Sequence, residues 1–467
     1  MRKINNLLAL LLVFLLLFSS CAESTSLTLA TVGTQKSTDA TTTASKTTAS
    51  TKNPSPYDID EDVNFRGETF TFAILTDYED LSGYGICETE NDPINAAIKE
   101  RNEYIYDTFN GKTETVKMSA SALNGALEAG NCAVDFVYAP YGAVNTKYCY
   151  DTESLGVDFA MPWWNSVTTQ MSVGGKSYAM AGAFSLETYD SYEIIFFSKE
   201  VKGKITSLKK QDIYEFVYDS EWTIDTLFEL SKLAYSEANA NGFISEKNGI
   251  SALYFAAGQK FISQTENGGA TAFISGFNDA AKSVTDKIIS VFGDSSVKVG
   301  EKAEALSALA EGKTLFAKAT IGDMKKFAEE EINYGVLPIP GTEKTQSFVN
   351  CVSADTPFIF ALKSGASPEH MKYYLWYFAY FSYTTVYRDY MNLRKYQYTT
   401  DTDSATIIDL CIKSSVSYDI ARFYGWSGAE EKYISAVLAG ENPIENFRTE
   451  LYPELEAKAK EYLENLG

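Results

Sequence analysis

A chain of 467 residues with 45% apolar side chains has material for two substantial hydrophobic cores. Its 62 acidic residues outnumber 40 basic ones, a formal charge of −22, which argues against nucleic acid and anionic lipid as partners, since both demand clustered Lys and Arg. A single histidine cannot build a multi-histidine metal centre, and nothing in the composition calls for a metal or cofactor.

Arg2 and Lys3 precede an apolar run from Leu7 to Phe18, followed by Ser19, Ser20 and Cys21. The run is too short to span a bilayer between charged flanks, so residues 1–20 are expected to be a cleaved secretory signal. A cysteine directly after two serines resembles the lipobox of bacterial lipoproteins, whose thiol is diacylated and becomes the new N-terminus. Phe18 stands where that motif usually has Leu, with Leu17 one place earlier. The resemblance implies a lipid on Cys21 that anchors the body to the extracytoplasmic face of a membrane without spanning it. Residues 21–56 are rich in Thr, Ser, Ala and Lys, and bury too little surface to offset the entropy of ordering them. They read as a tether with a reach of roughly 30–35 Å.

The body begins with an alternating segment, Gly67 to Ala73, extended by Ile74 and Leu75 into a strand that ends at Thr76 and Asp77. Asp92-Pro93 opens a helix from Ile94 to Phe109, and residues 122–138 supply a helix followed by a strand, Ala133 to Tyr138. Helices alternating with strands predict α/β construction around largely parallel sheets. An extended region follows Lys176, with Ser191 to Ser198 nearly all apolar, as in a buried strand. Trp222 to Ala234 reads as a helix capped by Thr223, with Asp225 in the first turn, and helical segments are expected to continue to about residue 310. Thr314 to Ala319 predicts a strand, Met324 to Glu331 a helix, and Ile332 to Ile339 a strand closed by prolines. Ser367-Pro368-Glu369 places a capping Ser, a Pro at the first helical position and an acid in the first turn of an aromatic helix reaching about Tyr383. A charged helical segment, Glu441 to Leu466, ends the chain, and no internal repeat is visible.

Several segments, in this order, resemble the family-1 extracellular solute-binding proteins of ABC importers, the branch that includes maltose-binding protein. The strongest is Gly312 to Pro340: a Gly-Lys pair, the strand Thr314-Leu315-Phe316-Ala317, the Gly322-Asp323 turn, a helix, then Asn333-Tyr334-Gly335-Val336-Leu337-Pro338-Ile339-Pro340, with Ser367-Pro368-Glu369 following at the family's spacing. Gly175-Lys176-Ser177-Tyr178-Ala179-Met180 leads into Ile194-Ile195-Phe196-Phe197-Ser198-Lys199, where the family typically has Asn at the position of Ser198. Glu221-Trp222-Thr223-Ile224-Asp225 resembles the family's helix start, and Pro162-Trp163-Trp164 and Arg101-Asn102 occur in one branch. The resemblance implies a two-lobed periplasmic-binding-protein-like fold (type II), each lobe a mixed sheet flanked by helices, joined by a hinge. It places lobe 1 in residues 65–185 and 337–388, and lobe 2 in 186–336 and 389–467. It also implies a monomer that captures a small solute between the lobes and hands it to membrane permease subunits. The solute is expected to be a carbohydrate, with a peptide or another small polar solute as the alternative. A surface glycan-binding lipoprotein without a permease is a further alternative.

Ligands of such sheets sit at the carboxyl ends of strands. That rule points to Asp77, Tyr78 and Tyr138, to Glu187 and Tyr189 in the crossover, and to Asp323 in the second lobe. Trp163, Trp164 and Trp426 are expected as stacking faces for a sugar. An enzyme is not expected. His370 has no serine motif beside it, Gly425-Trp426-Ser427-Gly428 lacks nucleophile-elbow spacing, and Asp401-Thr402-Asp403 lacks the Gly and distal Glu of a calcium loop. The five cysteines after Cys21 are irregularly spaced and imply no disulfide framework.

Overall fold

The computed structural model describes residues 62–78, 81–267, 270–344 and 347–466. The expected signal, Cys21 and the tether lie outside the described residues. In chain order the strands are β1 (Thr69–Leu75), β2 (Lys112–Met118), β3 (Phe136–Pro140), β4 (Ala179–Met180), β5 (Glu193–Ser198), β6 (Asn241–Ser245) and β7 (Ile262–Asn267). They continue with β8 (Ala270–Ser275), β9 (Val297–Val299), β10 (Thr314–Thr320), β11 (Tyr334–Pro338), β12 (Val349–Asn350), β13 (Pro357–Ala361) and β14 (Ser415–Val416).

Two five-stranded mixed sheets organise the body, one in the order β2-β1-β3-β13-β4 and the other β11-β5-β10-β6-β9. β1 runs parallel to β2 and β3, while β13 is antiparallel to both its neighbours. β5 is antiparallel to β10 and β11, and β6 is parallel to β10 and β9. Expecting largely parallel sheets from helix–strand alternation was therefore too simple. Strands that return from the other lobe enter in the opposite sense.

Position in the sheet explains composition. β5 and β10 are interior strands covered on both faces, and every residue of β5 (EIIFFS) is buried. β2 (KTETVKM) is an edge strand, and its Lys112, Glu114 and Lys117 are exposed, charges that discourage pairing with another chain. On one face of the first sheet Phe70, Phe72 and Phe136 stack against Tyr374 and Phe378 of the helix Pro368–Thr384. That helix starts as its sequence predicts, with the Ser367 hydroxyl accepting from the His370 N–H at 3.2 Å and Pro368 in the first turn. In the second lobe the helix Ile224–Ala238 is capped by Thr223, and Trp222 is buried and donates its Nε1–H to the Pro338 carbonyl at 2.8 Å.

The stretch expected to be helical up to residue 310 is not continuous. It contains β6, the β7–β8 hairpin and β9 between its helices. Asn241–Ser245 has only Phe243 and Ile244 as large apolar side chains and is too short for a period to distinguish strand from helix. The hairpin is tied to the C-terminal segment by the buried Asp419 carboxylate, which accepts from the N–H groups of Phe261 (2.6 Å) and Ile262 (3.2 Å). Cys132, Cys149, Cys351 and Cys411 are buried free thiols, and Cys87 is half-buried and also free. Among the described residues no helix is long and apolar enough to cross a membrane.

Candidate functional site

The carboxyl ends of β1, β3, β6 and β10, with the amino ends of their antiparallel neighbours β5 and β13, face one cleft of about 1060 Å³. Both sheets contribute to its walls. The first supplies Asp77, Tyr78 and Pro140, and the second supplies Glu193, Glu246, Lys318 and Thr320.

On the side of the first sheet, Asp77 follows β1 and its Oδ2 accepts from the Ala120 N–H at 2.6 Å, at the start of the helix Ala120–Glu128. Tyr78 is half-buried beside it. Burial, then the charges of Asp355 and Asp77, push its hydroxyl above the usual phenol range. Glu187 lies in the short helix Leu186–Asp190 and accepts from the Ser82 N–H (2.7 Å), the Ser82 hydroxyl (2.6 Å) and the Gly83 N–H (3.3 Å). Burial raises the Glu187 carboxyl, and these hydrogen bonds oppose the rise. Glu187 thereby fastens the loop after β1. Gly83 has φ +81°, and an added Cβ would come within 2.3 Å of Ile74 Cδ1, so the loop tolerates no side chain there.

On the side of the second sheet, Asp323 closes a capping box, accepting from the Thr320 N–H at 2.8 Å and the Thr320 hydroxyl at 3.0 Å, while its other oxygen meets Lys302 Nζ at 2.9 Å. Lys318, buried in the middle of β10, lies 3.5 Å from Glu193 Oε1 and 3.8 Å from Glu246 Oε2, and donates to Asn248 Oδ1 at 3.1 Å. Arg394 grips Asp190 through Nε (3.1 Å) and Nη2 (2.6 and 2.8 Å), with Tyr390 donating its hydroxyl to the same carboxylate at 2.8 Å. Burial works against this guanidinium's charge, but Asp190, Tyr390 and Tyr84 outweigh it and hold it firmly protonated. The Arg394 Nη1 and Glu193 Oε2 atoms are buried and have no hydrogen-bond partner among the described residues.

The nine expected site residues separate into three groups. Asp77, Tyr78, Glu187 and Asp323 line the cleft. Tyr138, Tyr189, Trp163 and Trp164 do not. Tyr138 is fully buried, its hydroxyl pushed up by burial and then by Glu187, and Tyr189 packs between Tyr192 and Tyr387. Trp163, only 2% exposed, packs edge-on against Trp376 and Tyr380, while Trp164 packs against Phe159 and Phe184. Trp426 lines a separate groove of about 320 Å³, stacked on Tyr424 at 5.4 Å with Tyr462 beside them. His370 sits against Glu68 and Phe65, away from the cleft lining.

Sequence reasoning missed Asp92, Asp190, Glu193, Lys318, Lys325, Asp355 and Arg394, all of which line the cleft. Lys318 had a visible signal, a lone charge inside the apolar run Thr314–Ala319. Arg394 had none, because only the tertiary fold brings it to Asp190.

No protein-family profile and no curated protein sequence matches the chain. Solved structures do match in fold. The sugar-binding protein MalE from Xanthomonas citri is similar at a TM-score of 0.59 and 10% identity, over 85% of this chain and all (100%) of that one. The cyclic α-maltosyl-1,6-maltose binding protein from Arthrobacter globiformis gives 0.56 at 10% identity, over 84% and 99%. The GacH receptor of Streptomyces glaucescens, solved unliganded and with acarbose, gives 0.52 at 12% identity, over 86% and 98%. What these likenesses establish is the architecture: the chain has the two-lobed α/β fold of these binding proteins.

Proposed function

We propose that this protein is a solute-binding protein of an ABC importer, which captures a carbohydrate in the cleft between its sheets and delivers it to permease subunits in the membrane. The observation that carries this reading is the cleft itself. About 1060 Å³ lies at the upper end of ordinary ligand sites, and its walls are mostly hydrogen-bonding side chains from both sheets. Such walls suit a ligand covered in hydroxyls, each able to donate and accept. Similar structures are named for maltodextrin and cyclic maltosyl-maltose binding, which supports the same class.

In this reading the body acts as a monomer, extracytoplasmic and held by a lipid on Cys21 through the 21–56 tether. Its lobes are 65–185 with 337–388, and 186–336 with 389–467. The strand membership of the two sheets supports that division, with β11 extending the second lobe to Pro338. Ligand that touches both lobes only when they close stabilises closure by its differential affinity. Asp77, Tyr78, Glu187 and Asp323 contact or position the solute, together with Glu193, Lys318 and Arg394. Catalysis plays no part. A thermal-shift screen of saccharides, peptides and polyamines on the body from residue 57 tests the reading. A saccharide should raise the melting temperature, whereas a rise with peptides alone would contradict it.

A further inference from the structure

The cleft is far more acidic than the chain that forms it. Nine carboxylates and four cations line it, a formal balance of −5 over 26 residues, or one net negative charge per about five residues. Over the whole chain, −22 over 467 residues is one per about twenty-one. General acidity therefore does not account for the cleft. The four cations are all engaged: Lys302 with Asp323, Lys318 with Glu193 and Glu246, Lys325 with Asp92, and Arg394 with Asp190. Asp77, Glu90, Glu187 and Asp355 face the same space with no Lys or Arg partner among the described residues.

Two further observations point to a ligand. Glu193 is 1% exposed and lines the cleft, yet its Oε2 has no hydrogen-bond partner among the described residues, an acceptor left open on a buried charge. Tyr78 is a half-buried aromatic of the cleft wall, next in sequence to Asp77, and it lines the cleft together with Asp77 and Asp355, whose charges both act on its hydroxyl. An aromatic ring sharing a cleft wall with two carboxylates offers an ammonium group both charge attraction and cation–π contact. Aromatic stacking platforms are otherwise scarce, since among the described residues Tyr78 and Tyr84 are the only aromatic ones in the lining.

We infer that the ligand is a saccharide bearing a free, positively charged amine, with the amine seated on the wall formed by Tyr78, Asp77 and Asp355. This inference rests on the carbohydrate reading above and narrows it. The test is calorimetric titration of the body from residue 57 with three tetrasaccharides: fully deacetylated glucosamine, its fully N-acetylated form and maltotetraose. A pH of about 6, below the ordinary α-amino range, keeps the amines charged. The deacetylated tetramer should bind at least about tenfold tighter than either neutral one, with the advantage shrinking as salt is raised. Asp355→Asn, at an exposed site, should cut that advantage several-fold, and Asp77→Asn, which keeps an acceptor for the Ala120 N–H, should do the same. Equal or tighter binding of a neutral tetramer overturns the inference and leaves the carbohydrate reading intact. Binding of a linear polyamine with no saccharide binding overturns both.

Discussion

Lys325 Nζ lies 3.4 Å from Asp92 Oδ2, joining the helix Met324–Glu329 after the second sheet's β10 to the loop before the first sheet's helix Asn95–Phe109. The pair reaches across the cleft that both residues line. Asp92 is held for the task, since its Oδ1 accepts from the Ile94 N–H at 3.0 Å and from the Tyr84 hydroxyl at 3.4 Å. A half-exposed pair of this kind is worth about 1 kcal/mol, so Lys325→Met should tilt the unliganded protein toward an open form and weaken ligand affinity up to about fivefold. Small-angle scattering should register a larger radius of gyration for the variant. An unchanged radius and affinity would remove the pair from the closing mechanism.

Arg394 and Asp190 form the bidentate pair beneath the cleft, and Arg394→Met leaves the Asp190 carboxylate with the Tyr390 hydroxyl alone. Breaking a buried pair costs about 3–5 kcal/mol, and partial access of Asp190 to solvent favours the lower end. Chemical denaturation should show that loss, with Arg394→Lys less damaging because it keeps the charge and loses only the fork. A loss below about 1 kcal/mol in the Met variant would show that Asp190 finds water instead.

Asp401 provides a pH test. Burial alone would raise its carboxyl, but Lys199, the Ser404 N–H and the Tyr214 hydroxyl outweigh burial and hold it below its ordinary value. A folded pKa below the unfolded one gives stability that is present above pH about 4 and lost as the pH falls through the folded value. Asp401→Asn should therefore destabilise by about 1–3 kcal/mol near neutrality, with the gap to the unmodified protein closing in acid. Urea unfolding across pH measures this. A gap that stays constant into acid would assign the loss to packing instead.

The tryptophans separate core from site. Trp163→Ala should cost about 3–5 kcal/mol of stability, as expected of a large buried aromatic, and it should weaken binding only through that loss. Trp426→Ala alters the outer groove with Tyr424 and Tyr462, and should leave affinity at the cleft unchanged. Weakened cleft binding by a well-folded Trp426→Ala protein would show that the two grooves communicate.

Much of the fold was legible because strong local signals coincide with burial. Thr314–Thr320, Glu193–Ser198 and the Ser367-capped helix are continuous apolar or well-capped segments whose tertiary surroundings agree with their local preference. β2 escaped notice because an edge strand of Lys, Thr and Glu has no apolar face to display. The β7–β8 hairpin does carry a signal, Asn267-Gly268-Gly269 between two runs of strand-forming residues, which the expectation of continuous helix overlooked. At the site, residues directly after strands β1 and β10 were found by position alone, namely Asp77, Tyr78 and Asp323. The rule failed for Tyr138, which lies within β3 and points into the core, and for tryptophans chosen by residue type, whose size makes core packing the stronger pull. Asp190–Arg394 and Asp92–Lys325 each join residues more than two hundred positions apart, which no local pattern can reveal.

The central claim is that the cleft captures a saccharide. Calorimetric titration of the body with a panel of neutral and amine-bearing oligosaccharides tests it most directly, using Arg394→Lys as the control within the site. The account predicts one-to-one binding of at least one saccharide, weakened at least about tenfold in the variant. Absence of heat with every saccharide, alongside clear binding of a peptide, would contradict it.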